Sequence, residues 1–140
     1  MVDGPRYVDI NIFIYWLGKH PTLGEVAYEW IKKIERSPRG RYVTSSLTLY
    51  EALVVIAGLA GKSLKDRTLI EGVVNSITNL KGLVIEPLKL EDFTRALDLM
   101  EEYGLDYEDS LHLSVAIKAG AKEIVSNDKD FDKTPLKRTI

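Results

Sequence analysis

Short apolar runs alternate along this chain with longer stretches of helical periodicity, and that rhythm predicts strands and helices in turn. Arg6-Tyr7-Val8-Asp9-Ile10 reads as a first strand. Asn11 to Leu17 (NIFIYWL) is apolar on all sides, which fits a buried helix or a continuation of the strand. Asp9 or Asn11 would cap that helix. Thr22 to about Arg36 is an amphipathic helix with Val26, Trp30, Ile31 and Ile34 facing inward. Arg41 to Ser45 is the second strand, and Thr48 caps a helix running through Gly58 with Glu51 in its first turn. A helix over Leu64 to Leu80, a third strand over Gly82 to Glu86 and a helix over Leu90 to Tyr103 follow. The last of these has Phe93, Ala96, Leu97 and Met100 at core spacing.

The stretch from Gly104 to Asp132 is the most informative. Its helix runs from about Asp106 to Ala119, with Leu113, Ala116 and Ile117 as an apolar stripe and Gly120 as the stop. A short strand over Glu123 to Ser126 ends at Asn127-Asp128, and Leu136 to Ile140 adds a last edge strand. Short strands alternating with helices define an α/β fold, a mostly parallel four- to five-stranded sheet covered on both faces. At 140 residues the chain fits one domain, 1–140.

In such folds ligands gather beyond the carboxyl ends of the strands. Asp9 and Asp128 stand at strand ends, Glu51 on the helix after the second strand, and Asp109 at the start of the helix leading into the fourth. Four acids from four segments can therefore converge on one edge. Crowded carboxylates repel one another and need a cation. Oxygen donors without a Cys or His cluster suit Mg²⁺ or Mn²⁺, and such ions serve phosphoryl chemistry. Taken one at a time, acids in these places are equally caps and helix-dipole partners.

Composition narrows the classes. The chain is 45% hydrophobic and 29% charged, ordinary for a soluble domain, and no apolar run approaches a membrane span. It has no Cys, so disulfides, thiolate metal sites and a cysteine nucleophile are excluded. The opening residues lack the layout of a secretory leader, so a cytoplasmic protein is expected. A net charge of −2 gives no broad basic face for nucleic acid, but bound cations would change the local sign.

The four acid-bearing segments carry a resemblance. Tyr7-Val8-Asp9-Ile10-Asn11, Ser45 to Glu51 (SSLTLYE), Tyr107 to His112 (YEDSLH) and Ser126 to Asp132 (SNDKDFD) resemble, in order and separation, the motifs of the PIN domains. The resemblance spans nearly the whole chain, and the length matches stand-alone members such as the VapC-like toxins. It implies a three-layer α/β/α sandwich and a Mg²⁺- or Mn²⁺-dependent ribonuclease, often dimeric and often paired with an antitoxin protein. On this resemblance Asp9, Glu51, Asp109 and Asp128 are the metal-holding and catalytic acids. Ser126 matches the small hydroxyl residue before the last acid, and Asn11 the polar residue after the first.

Neighbouring residues compete for roles. Asp106 reads as a helix N-cap, and Glu108 points about 100° away from Asp109. Asp130 and Asp132 fall outside the matched position, although Asp132 could orient a water. His112 lies three residues after Asp109, and reads either as a buried, hydrogen-bonded histidine or as a group that steadies a carboxylate or meets a phosphate. The expected activity is an endoribonuclease using a metal-activated water, the toxin of a toxin–antitoxin pair. The rivals are a phosphate-receiver module, for which the acids are misplaced, and a PIN-like fold acting only in RNA binding or assembly. The apolar runs Ile12 to Leu17 and 52–60, with Tyr28 and Trp30, predict a symmetric homodimer.

Overall fold

The computed structural model describes residues 4–140; the first three residues of the expected domain, part of the leader reading, lie outside it. Five strands form one sheet in the order β3-β2-β1-β4-β5, and every neighbouring pair is parallel. The strands are β1 (Arg6–Val8), β2 (Tyr42–Ser45), β3 (Leu83–Glu86), β4 (Glu123–Val125) and β5 (Lys137–Thr139). The helices are α1 (Ile10–Leu17), α2 (Gly24–Arg36), α3 (Ser46–Leu59), α4 (Arg67–Thr78), α5 (Leu90–Tyr103) and α6 (Tyr107–Lys118). A 3₁₀ turn, Lys129–Lys133, links β4 to β5.

Strand residues alternate between two cores, which is why the sheet needs helices on both faces. Val8, Tyr42, Leu83 and Val125 pack with α1 to α4 residues such as Ile12, Phe13, Ile31, Ile56 and Ile77. Tyr7, Val43 and Ile124 face the other way, onto Leu99, Leu113, Val115 and Phe131. The result is the expected three-layer sandwich, with a sheet parallel throughout.

Several boundaries differ from the sequence reading, each for a local reason. The first strand stops at Val8, because Asp9 caps α1 by accepting the Ile10 N–H at 2.8 Å. Helix α3 begins earlier than Thr48, since the Ser45 hydroxyl accepts the Leu47 N–H at 2.9 Å. Thr48 is instead buried within the first turns. Asp66 caps α4 through the Leu69 N–H, which starts that helix at Arg67.

Helix α5 is rotated relative to expectation. Its inward face is Asp92, Ala96 and Leu99, while Leu90 is 83% and Leu97 59% exposed. The cause is Asp92, which is fully buried and accepts from Ser114 Oγ at 2.7 Å, Lys118 Nζ at 2.7 Å and the Lys89 N–H at 2.8 Å. A hydrogen-bonded carboxylate takes the place an apolar side chain was expected to fill. Gly104 then ends α5 in the left-handed region, φ +67°, its N–H returning to the Met100 carbonyl at 2.9 Å. That turn feeds α6, where Ser110 to Ala116 are buried without a break.

Candidate metal centre

Strands β1 and β4 run side by side in the middle of the sheet, and their carboxyl ends frame the site. Asp9 follows β1, with its N–H bonded to the Val125 carbonyl at 3.0 Å. It is 4% exposed. Its Oδ2 accepts from the Ser126 hydroxyl at 2.5 Å and from Asn11 Nδ2 at 3.2 Å. Burial pushes the Asp9 carboxyl above its ordinary range, against the Ser126 hydrogen bond that favours the charged form.

Ser126 does double duty, since its oxygen also accepts the Asp128 N–H at 2.9 Å. Asp128 caps the 3₁₀ turn by accepting the Asp130 N–H at 2.9 Å. Ser126 and Asn11 therefore act on the acids, consistent with their matched positions. Asp106 is the N-cap of α6 and accepts the Asp109 N–H at 2.8 Å, which fixes Asp109 in the first turn.

Oxygens of Asp109, Asp128 and Asp130 lie within 4.8 Å of one another. Burial first, then the charges of Asp106, Asp128 and Asp9, raise the Asp109 carboxyl to about 7. The structure thus brings Asp109 and Asp128 together with Asp130, which the sequence reading had set aside, while Asp9 adjoins them through Ser126 and acts on Asp109 as a nearby charge. The nearest signal in the sequence was Asp128 itself, a residue type that bonds the backbone two positions on and so folds the chain at Asp130 back on it.

Glu51 belongs to an adjoining group. Atoms of Glu51, Glu108 and His112 lie within 4.8 Å of one another. His112 is 1% exposed, with Nε2 2.7 Å from Glu51 Oε1 and Nδ1 2.7 Å from the Tyr7 hydroxyl. Both ring nitrogens are engaged in hydrogen bonds. Burial pushes the Glu51 carboxyl up, but hydrogen bonds from His112 and Glu108 prevail and leave it below its usual range. A hydrogen bond to Glu51, burial and the Glu51 charge raise the Glu108 carboxyl to about 7. Burial opposes charge on His112, yet Tyr7, the Glu51 hydrogen bond and Asp9 raise its pKa well above the ordinary value. Glu51 is thus linked to Asp9 through the field of this imidazole.

Asp132 is spoken for. Both its oxygens receive Arg138, at 3.0 and 3.3 Å, a fork pairing that uses one acceptor site on each. Among the described residues, no Lys or Arg pairs with Asp9, Glu51, Asp109 or Asp128.

A parallel α/β sandwich with an uncompensated acidic edge at its central strand ends is the class that fold and site define. Within it, the PIN domain model matches residues 6–137, and the chain belongs to the PIN domain family. No curated protein sequence matches it significantly. Solved structures share the fold, three of them as follows. The VapC20 toxin of Mycobacterium tuberculosis, which cleaves the sarcin–ricin loop, aligns with TM-score 0.69 at 13% identity, over 90% of this chain and 92% of its own. A toxin–antitoxin complex from Klebsiella pneumoniae gives 0.62 at 19%, over 94% and 98%. VapBC2 of Rickettsia felis, bound to a DNA fragment of its promoter, gives 0.63 at 22%, over 96% of each chain.

Proposed function

We propose that the chain is a Mg²⁺- or Mn²⁺-dependent endoribonuclease and the toxin of a toxin–antitoxin pair, with Asp9, Glu51, Asp109 and Asp128 as its metal-holding and catalytic acids. One observation carries this reading. Burial, and then the charges of Asp106, Asp128 and Asp9, lift Asp109 to about 7, and among the described residues no Lys or Arg pairs with these acids. A hard cation relieves that repulsion, and an all-oxygen donor set fits Mg²⁺ or Mn²⁺. When bound, such an ion polarises a phosphodiester and supplies an activated water at neutral pH.

The chain's own residues divide the remaining work. Ser126, Asn11 and the Ile10 N–H hold Asp9 in one orientation. His112 aims Glu51 and keeps it ionised. Glu108, half-protonated near neutrality, holds a proton against Glu51. Among the described residues no side chain donates a hydrogen bond to the Asp109 carboxylate, so it is free to turn onto a cation.

RNA is the substrate class we assign, in keeping with the family and with the loop-cleaving toxin of like fold. The two toxin–antitoxin complexes of like fold support an antitoxin as partner. A homodimer is supported by exposed apolar side chains on α3 (Tyr50, Val54, Leu59) and α5 (Leu90, Phe93, Leu97). Of the first apolar run, Ile12 and Phe13 are buried, while Tyr15, Trp16 and Leu17 pack on the core and stay partly exposed. No described helix is long and apolar enough to cross a membrane, and a cytoplasmic location is part of this reading.

Calorimetric Mn²⁺ titration with a parallel RNA-cleavage assay tests the proposal. Wild-type chain should bind Mn²⁺ and cleave only with it, and Asp109→Asn should lose both. Full metal-dependent cleavage by that variant overturns the assignment.

A further inference from the structure

Arg138 sits on β5, one residue beyond the stretch matched by the family model. We infer that it is a positioning residue for the Asp128 side of the acidic cluster; this rests on the proposed function. Its Nε donates to Asp132 Oδ1 at 3.0 Å and its Nη2 to Oδ2 at 3.3 Å, a fork pairing that fixes direction as well as distance. Its Nη1 donates to the Ser126 carbonyl at 3.4 Å.

These two contacts grip the acidic loop at both ends. Ser126 is its base: the hydroxyl donates to Asp9 Oδ2 and accepts the Asp128 N–H. Asp132 lies towards its far end, within the 3₁₀ turn that Asp128 caps. Arg138 itself is anchored by strand pairing, in register with Ile124, and the Ser126 N–H bonds the Thr139 carbonyl at 3.0 Å. The guanidinium therefore closes a ring running Ser126, Asp128, Asp132, Arg138 and back to Ser126. Closing it holds Asp128 beside Asp109, turns Asp132 away from the cluster and leaves Asp130 as the acid of the turn that reaches it.

A rival role for Arg138 is that of a nearby positive charge. The two roles predict opposite signs. Removing a competing cation from an acidic edge strengthens divalent-ion binding, because the local field becomes more negative. Removing a clamp weakens it, as loss of groups that orient metal-binding residues typically costs about 10–100-fold in affinity.

The test is Mn²⁺ calorimetry on the full chain as wild type, Arg138→Ala, Arg138→Lys and Asp132→Asn, with amide hydrogen exchange of residues 127–133 in metal-free buffer. Arg138→Ala and Asp132→Asn should each lower Mn²⁺ affinity about tenfold or more, although they change the charge in opposite directions. Both should speed exchange in 127–133 while β1 and β4 stay protected, and Arg138→Lys should recover only part of each effect because an ammonium lacks the fork. Should Arg138→Ala fail to fold, Arg138→Gln, which removes the charge and the fork while keeping most of the side chain's length, gives the same reading: weaker Mn²⁺ binding for a clamp, tighter for a competing charge. Mn²⁺ binding as tight as wild type or tighter, with unchanged exchange, overturns the inference alone. A wild-type chain that takes up no Mn²⁺ overturns the proposed function, and this inference with it.

Discussion

His112 ties Glu51 to the central strand: its Nε2 lies 2.7 Å from Glu51 Oε1 and its Nδ1 2.7 Å from the hydroxyl of Tyr7. An ionised carboxylate only accepts, so Nε2 carries the hydrogen of that bond. The imidazole is buried, and its loss would take a partner from the partly buried Glu51 and from the buried Tyr7 hydroxyl.

His112→Phe should therefore destabilise the chain by about 2–3 kcal/mol, the scale of a hydrogen bond to a charged group plus an orphaned hydroxyl. Tyr7→Phe, which removes only the outer hydroxyl, should cost about 1 kcal/mol. Urea unfolding measures both. The histidine variant should also bind Mn²⁺ more weakly, since Glu51 loses its aim.

Asparagine at two of the acids should have opposite effects on the apo fold. Asp109 accepts no side-chain hydrogen bond among the described residues and is crowded by Asp106, Asp128 and Asp9. Asp109→Asn should leave stability equal or slightly higher while abolishing Mn²⁺ binding. Asp9 caps α1 and receives Ser126 and Asn11, so Asp9→Asn should cost about 1 kcal/mol as well as the metal. Paired thermal melts in EDTA check the contrast.

Metal-free stability should fall between about pH 4 and 7. Asp109 and Glu108 sit near 7 in the folded chain against ordinary values of 3.8 and 4.5. Over that window the folded state holds protons that the unfolded state has released, and stability then declines as pH rises. His112, raised well above 6.5, adds stabilisation that is full below that value and fades as pH climbs through its folded pKa. Mn²⁺ should reverse the acid part by displacing the protons, so its affinity should rise from pH 6 to 8 with measurable proton release. Urea midpoints at pH 5 and 8, with EDTA or Mn²⁺, and calorimetry in two buffers decide this.

Asp92 gives the opposite sign at lower pH. Burial pushes it up, but Lys118, the Lys89 N–H and Ser114 hold it below the usual range. Its stabilisation is present above the unfolded value near 4 and is lost as pH falls through the folded one. Asp92→Ala should cost about 3 kcal/mol, most of it from the orphaned Lys89 N–H and Ser114, since Lys118 can turn to water. An unchanged urea midpoint would refute the clamp between α5 and α6.

The parts of this architecture written in local chemistry were legible from sequence. Asp106 before an apolar run announced the start of α6, and Gly104 and Gly120 the turns around it. The strand-end positions of Asp9 and Asp128 followed from alternation of strand and helix. What stayed hidden depended on partners distant in the chain. Asp92 reads as a surface acid until Ser114 and Lys118 are packed against it, and that contact turned Phe93 and Leu97 outward. Arg138 and Asp132 are two ordinary charges until β5 pairs with β4. The split of Glu51 from the other three acids required knowing that His112 reaches across from α6.

The position of β4 beside β1 has a consequence for the chain while it is being made. Ser126 meets Asp9 across 117 residues, and β4 cannot pair with β1 until that whole length has been made. A growing chain that has reached Gly120 already carries Asp9, Glu51 and Asp109, yet Asp9 lacks its Ser126 donor and Asp128 has not been added. Unfinished chains are thus born without a complete site. The acidic edge is assembled only when the last seventh of these 140 residues, from Ala121 onward, is threaded into place.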